Sequence, residues 1–196
     1  EGVFYRDYVL FHLDVALNEN TRRFDQYGNS CIKDLTGIQS LKSLAYLDCG
    51  KTSINSLDVS DLQSLYELKC SENSLLASIN VRGCSMLRYM FCGKTAIESL
   101  DVSGLKNLYK LKCSKNVCLS SINVEGCNQL RYLFCGQTGL KSLDVSSLNF
   151  HKIDCTGDME LTSLNIDGSF KNISLPKNQY YKFQIRRGAP SPQDST

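Results

Sequence analysis

One pattern, Leu-x-x-Leu-x-Cys, recurs six times along the chain and limits its fold more than any other feature. The cysteines of the pattern follow one another at intervals of 20 to 22 residues. A period of that length is typical of solenoids, in which each repeat is one turn that buries its apolar side chains against the next turn. The three columns are Leu44, Leu65, Leu87, Leu108, Leu130 and Phe150, then Leu47, Leu68, Met90, Leu111, Leu133 and Ile153, then Cys49, Cys70, Cys92, Cys113, Cys135 and Cys155.

The second half of each repeat has an apolar alternation of its own, for example Ile54-x-x-Leu57-x-Val59. Alternation with a period of two indicates a second short strand in place of a helix. The sequence therefore predicts a mainly β fold, a right-handed, flattened leucine-rich-repeat solenoid with strands on both faces. A polar side chain that can bond the backbone of the adjacent turn follows each ladder cysteine, at Thr52, Asn73, Thr95, Asn116, Thr138 and Asp158.

A longer period of two turns overlies the first one. Cys-Gly-Lys-Thr begins at Cys49 and Cys92 and Cys-Gly-Gln-Thr at Cys135, whereas Cys-Ser-Glu-Asn begins at Cys70 and Cys-Ser-Lys-Asn at Cys113. Duplication of a two-turn unit explains the alternation. We therefore expect the surface chemistry to alternate along the stack.

The ends of the chain differ from the repeats, as the open ends of a solenoid require. Residues 1–43 are predicted to form a helical N-terminal cap and its junction, since 3–17 has the apolar spacing of an amphipathic helix. Residues 44–169 hold the six repeats, and 170–187 are interpreted as a C-terminal partial repeat or cap. The tail, 188–196, is expected to be disordered.

Ten cysteines raise the question of disulfides or a metal site. At inward positions a cysteine behaves as a small apolar residue, so the ladder is interpreted as reduced core thiols. Parallel inward side chains disfavour the disulfide dihedral, and zinc needs converging ligands rather than a row. No metal and no cofactor are predicted.

The net charge and the types of side chain present limit the functions that the chain can have. A net charge of +2 gives no indication of nucleic acid, and no apolar run is long enough for a transmembrane segment. His12 and His151 have no nucleophile or carboxylate implied by a motif, so we predict that the protein is not an enzyme. The outward column of alternating Asp and Asn is interpreted as solvated strand surface: Asp58, Asn80, Asp101, Asn123, Asp144 and Asn165.

The residues that flank the second leucine of each repeat point outward, and here aromatic pairs alternate with charged pairs. One interpretation is that these side chains stack on one another and stiffen the sheet. The other is a contact surface, since exposed aromatic patches mark recognition sites. The predicted partner-binding residues are Tyr46, Tyr89, Phe91, Lys110, Lys112, Tyr132, Phe134 and Lys152.

On these motifs the chain resembles the nested 21-residue leucine-rich-repeat proteins of gut and oral Bacteroidetes. It is also similar to the internalins, both in the cysteine ladder and in the cap-to-repeat segment 34–48. The resemblance implies an extracellular or cell-surface protein, many relatives being implicated in adhesion. Relatives often have a calcium-loop-like Asp-x-Asn-x-Asp-Gly after the first helix, but residues 14–20 lack the glycine and the alternating carboxylates.

Three functions follow from this interpretation. The first is a protein-binding or adhesion module that acts as a monomer on host or bacterial partners. The second is a carbohydrate-binding accessory module of a bacterial surface system, since aromatic platforms also suit sugar rings. The third is a structural spacer, for which no substitution on the strand face would change binding.

Overall fold

The structure is a computed structural model that describes residues 22–158, 160–166 and 172–175. The predicted helix over 3–17, the segment 14–20 that lacks the calcium-loop pattern, and the tail 188–196 lie outside these residues. Within them, the chain enters the repeats through a 3-10 turn at Ile38–Ser40. No helix in this part of the chain is long and apolar enough to cross a membrane.

The described residues form short strands, most of them three residues long. In chain order they are β1 (Arg23–Asp25), β2 (Tyr46–Asp48), β3 (Ser56–Asp58), β4 (Glu67–Lys69), β5 (Ser78–Asn80), β6 (Tyr89–Phe91), β7 (Ser99–Asp101), β8 (Lys110–Lys112), β9 (Ser121–Asn123), β10 (Tyr132–Phe134), β11 (Ser142–Asp144), β12 (Lys152–Asp154), β13 (Ser163–Asn165) and β14 (Ile173–Ser174).

One face of the solenoid is a continuous parallel sheet. Its eight strands have the order β1-β2-β4-β6-β8-β10-β12-β14, so that each turn adds one strand beside the strand of the preceding turn. Equivalent positions of successive turns pair directly; Leu68, for example, lies opposite Leu47 and Met90. The prediction of a parallel β solenoid is confirmed.

The second face also carries strands, but they form three separate two-stranded sheets, β3-β5, β7-β9 and β11-β13. The breaks recur every two turns, at the period seen in the sequence. Turns that start at Cys70 and Cys113 are 22 residues long, against 21 for those that start at Cys49 and Cys92. The extra residue lies between the ladder cysteine and the second strand, and we attribute the broken pairing to this difference in length.

The core runs along the solenoid between the two faces. All six ladder cysteines are fully buried, as are the leucines at the centres of β4, β8 and β10. All ten cysteines are free thiols, and only Cys31 and Cys118 are exposed. The ladder is thus packed as an apolar column, as the sequence predicts.

The polar column beside the ladder ties each turn to the next. Asn73 is fully buried. Its Oδ1 accepts hydrogen bonds from the Thr52 backbone N–H at 2.7 Å and from Thr52 Oγ1 at 3.0 Å. Its Nδ2 donates to the carbonyl oxygens of Cys49 and Cys70, both at 2.9 Å. Asn116 makes the same four contacts two turns later, so the predicted bond between turns is confirmed.

Candidate functional site

All the predicted partner-binding residues lie on the outer surface of the eight-stranded sheet, which we call the strand face. They occupy its rungs β2, β6, β8, β10 and β12 in direct register. Along one row the pairing is Tyr89, Lys110, Tyr132 and Lys152. Because aromatic and charged rungs alternate, each lysine of β8 lies between two aromatic residues.

The lysines pack their charged ends against the rings of neighbouring rungs. Phe134 is surrounded by three ammonium groups, with Nζ of Lys110, Lys112 and Lys152 lying 5.6, 5.2 and 5.5 Å from the ring centroid. Lys112 Nζ also lies 5.7 Å from the ring of Phe91. These are cation–π distances, so the self-stacking that the sequence allowed is present among these side chains. We call Lys110, Lys112, Lys152 and Phe134 the Phe134 lysine cluster.

Beside these rungs runs a row of tyrosines in edge-to-face contact, which we call the tyrosine row. Its ring centroids are 6.0, 5.4, 6.2 and 5.3 Å apart in order along the solenoid, and His151 extends the row at 5.6 Å. Such contacts each contribute about 0.5–1.5 kcal/mol beyond the area they bury. The members are Tyr46, Tyr66, Tyr89, Tyr109, Tyr132 and His151.

Tyr66, Tyr109 and His151 were not among the predicted site residues. Each directly follows the first leucine-type residue of its repeat, and strict two-residue alternation would turn that position inward. The position precedes the strand, however, as β4 begins only at Glu67 and β8 at Lys110. The chain is still turning there, so the side chain reaches the surface. The sequence did contain a signal for these residues, because they form a second column of aromatic side chains one position before the first residue of β4, β8 and β12.

Two arginines belong to the same surface. The guanidinium carbon of Arg88 lies 4.9 Å from the ring centroid of Tyr109 and 6.0 Å from that of Tyr89. Two side-chain hydrogen bonds lower the pKa of Tyr89, the larger effect coming from Arg88 and the smaller from Tyr66. Arg131 is held differently, since its Nη1 donates to the backbone oxygens of Asn128 and Leu130 at 3.0 and 3.1 Å.

Charge is divided unevenly along the strand face. At the β1 end, Lys69 pairs with Glu67 at 3.0 Å and Arg23 with Asp25 at 3.4 Å. At the β8–β12 end, none of the three cluster lysines has a carboxylate oxygen within 4.0 Å among the described residues. Asp154 is their neighbour in the sheet, but its Oδ1 accepts hydrogen bonds from the N–H and Oγ1 of Thr156.

The outward Asp and Asn column of the opposite face has a structural use. Asp101 Oδ1 accepts a hydrogen bond from the Ser103 N–H at 2.9 Å, and Asn123 Oδ1 accepts one from the Glu125 N–H at 3.1 Å. These side chains cap the turns that follow their strands and remain exposed, apart from the half-buried Asn165. We assign the column no binding role.

The last described turns bring two ladder thiols and a carboxyl group together in the core. Cys135 Sγ and Cys155 Sγ are 3.4 Å apart, and one ligand atom from each of Cys135, Cys155 and Asp158 lies within 4.8 Å of the others. The ligands converge here more than a simple row implies. The hydrogen bond to Cys155 and burial hold the pKa of Cys135 well above its ordinary value.

Comparison with known proteins gives similarity in structure only. No protein-family model matches the chain, and no curated protein matches it. Among solved structures it is similar to the functional domain of InlJ from Listeria monocytogenes, which includes a cysteine ladder, at 22% identity and a TM-score of 0.35 over 83% of this chain and 46% of that one. The chain therefore spans about half the length of that structure. An internalin, inlF, also from Listeria monocytogenes, matches at 12% identity and a TM-score of 0.21 over 80% of this chain and 82% of that one.

Proposed function

We propose that the protein is a non-enzymatic binding scaffold that contacts a partner protein through the strand face and serves in adhesion or protein–protein interaction at a cell surface or after secretion. The observation that carries this proposal is the surface itself. A continuous sheet presents a row of aromatic rings and lysines, and no other part of the described chain covers it. Solenoids commonly bind along such sheets.

The shape of the face favours a macromolecule over a small ligand. The pocket at its β1 end, lined by residues such as Phe24, Tyr46 and Glu67, is small, with a cavity volume of about 20 Å³. Small-molecule sites typically enclose about 300–1,000 Å³. A broad surface with half-buried aromatic side chains is instead typical of protein interfaces, in which tyrosine and phenylalanine are enriched.

Binding of the purified protein to a panel of extracellular-matrix proteins and a glycan array tests the proposal. The test variant is Phe91→Ala, Phe134→Ala, which removes two rings from the face. The matched control is Leu75→Ala, Val117→Ala, two apolar side chains that are 62% and 74% exposed away from the strand face. Thermal unfolding of both variants checks that the fold is retained.

We expect the phenylalanine variant alone to lose a protein partner. Equal binding by the two variants would move the site to another surface. Specific binding to a neutral glycan would favour the carbohydrate-binding alternative, and no binding by the wild type would favour the spacer.

A further inference from the structure

We infer that the Phe134 lysine cluster is a subsite for an acidic segment of a partner polypeptide, one that places carboxylates beside the three ammonium groups. The inference rests on the proposed function and specifies the chemistry of the partner. The inference starts from three short distances. Nζ of Lys110, Lys112 and Lys152 lies 5.6, 5.2 and 5.5 Å from the ring centroid of Phe134.

None of the three ammonium groups is ion-paired within the described residues, although Asp154 lies on the same strand as Lys152. In the first half of the sheet, Arg23 pairs with Asp25 and Lys69 with Glu67, whereas Lys110, Lys112 and Lys152 have no carboxylate oxygen within 4.0 Å. Like charges held around one ring repel one another, and an anion placed among them removes that repulsion. The surface is therefore complementary to negative charge at this end.

The aromatic rings are already occupied, which argues against a neutral sugar. The Phe134 ring has three ammonium groups around it, and the ring of Tyr132 contacts Tyr109 at 5.3 Å and His151 at 5.6 Å. Stacking a sugar on these rings would displace the present contacts. A carboxylate can instead accept hydrogen bonds from the ammonium groups while they remain beside the rings.

The spacing of the lysines suits an extended polypeptide. Lys110 and Lys112 are two residues apart on β8, which is about 6.6 Å along a parallel strand. Lys152 lies two strands away from Lys110, about 10 Å across the sheet. Carboxylates on alternate residues of an extended segment are also about 6.6 Å apart along the segment, so they match the spacing of Lys110 and Lys112.

The basic area is also limited in extent. Asp48 and Glu67 lie on the same face towards β1, where the charge is balanced or acidic. A long sulfated polysaccharide would have to cross that region, whereas a short acidic segment need not. The rims of Phe91 and Phe134, both half-buried, also offer apolar contact that suits a polypeptide.

The test uses a fluorescent synthetic peptide of alternating Glu and Val, its Gln and Val counterpart, and a heparin oligosaccharide, with binding followed by anisotropy at low and high salt. The site variant is Lys110→Gln, Lys112→Gln, Lys152→Gln. The control is Lys33→Gln, Lys106→Gln, Lys115→Gln, which removes the same charge from exposed positions elsewhere.

We expect the acidic peptide to bind the wild type and the control in a salt-sensitive way, and the site variant to bind at least about tenfold more weakly, since each exposed charge contact supplies a few-fold. Absence of peptide binding, or equal loss in both variants, overturns the inference. Lysine-dependent binding of heparin alone identifies a sulfated glycan and overturns the polypeptide assignment. If a partner protein still binds through Phe91 and Phe134 while the peptide fails, the proposed function stands without this subsite.

Discussion

Asp158 occupies in the last described turn the position that Asn116 holds two turns earlier. Asp158 Oδ1 accepts a hydrogen bond from the Thr138 N–H at 2.6 Å, as Asn116 Oδ1 does from the Thr95 N–H at the same distance. The two side chains have the same shape, but the Asn116 amide also donates to two backbone carbonyls. A carboxylate has no hydrogen to donate there, so we expect the end of the solenoid to be sensitive to pH.

Burial raises the pKa of Asp158 to about 6 from an ordinary value of 3.8. A carboxyl group whose pKa is higher in the folded state stabilises the fold fully below the unfolded pKa, and that stability is lost as the pH rises through about 6. We expect wild-type protein to lose up to roughly 3 kcal/mol from this group between low and neutral pH. The Asp158→Asn variant should lack this component, which urea unfolding across the pH range measures. Parallel pH profiles for the two proteins would contradict this expectation.

Removing one amide of the polar column should be costly. Asn116→Ala leaves the Thr95 N–H and the carbonyls of Cys92 and Cys113 without the partner that they share. Each buried polar group left unpaired costs about 1–3 kcal/mol, so we expect a loss of several kcal/mol in the free energy of unfolding. Asn128→Ala, an exposed asparagine, serves as the control and should change stability by about 0.5 kcal/mol or less. Similar free energies of unfolding for the two variants would show that the polar column does not stabilise the protein.

Glycine alternates with serine after the ladder cysteine because successive turns approach closely on one side. A Cβ added to Gly93 would lie 2.6 Å from the carbonyl oxygen of Ser114. We expect Gly93→Ala to destabilise the protein by about 1–3 kcal/mol, because the backbone must move to relieve the clash. Ser114→Ala is the control at the equivalent position of the next turn. Calorimetry should give a lower Tm for the glycine variant only; an unchanged Tm would contradict the close approach.

The thiols should divide into two groups by reactivity. Cys31 and Cys118 are exposed, while the other eight cysteines are buried. Burial raises the pKa of Cys92 to about 12, so its thiolate is scarce at neutral pH. We expect a thiol reagent to modify two cysteines in the native protein and ten after unfolding, as read by mass spectrometry. Fast labelling of more than two native thiols would show that the ladder opens readily.

Sequence reasoning recovered most of the fold because the repeat places equivalent residues in register. The columns that contain Leu68 and Cys70 defined both the strands and the core. They did not reveal that the second face is divided between β5 and β7, since that division depends on hydrogen-bond register. Tyr66 was not predicted to lie on the strand face, because the backbone before a strand departs from simple alternation. The cluster around Phe134 also required side-chain conformations.

We propose that the strand face is the surface that meets the partner. A photo-crosslinking amino acid placed at Tyr132 on this face, and separately at Ser121 on β9 of the opposite face, tests this proposal. We predict that incubation with a partner found in the binding panel gives crosslinks from position 132 and not from position 121. Crosslinks from position 121 alone would contradict the account.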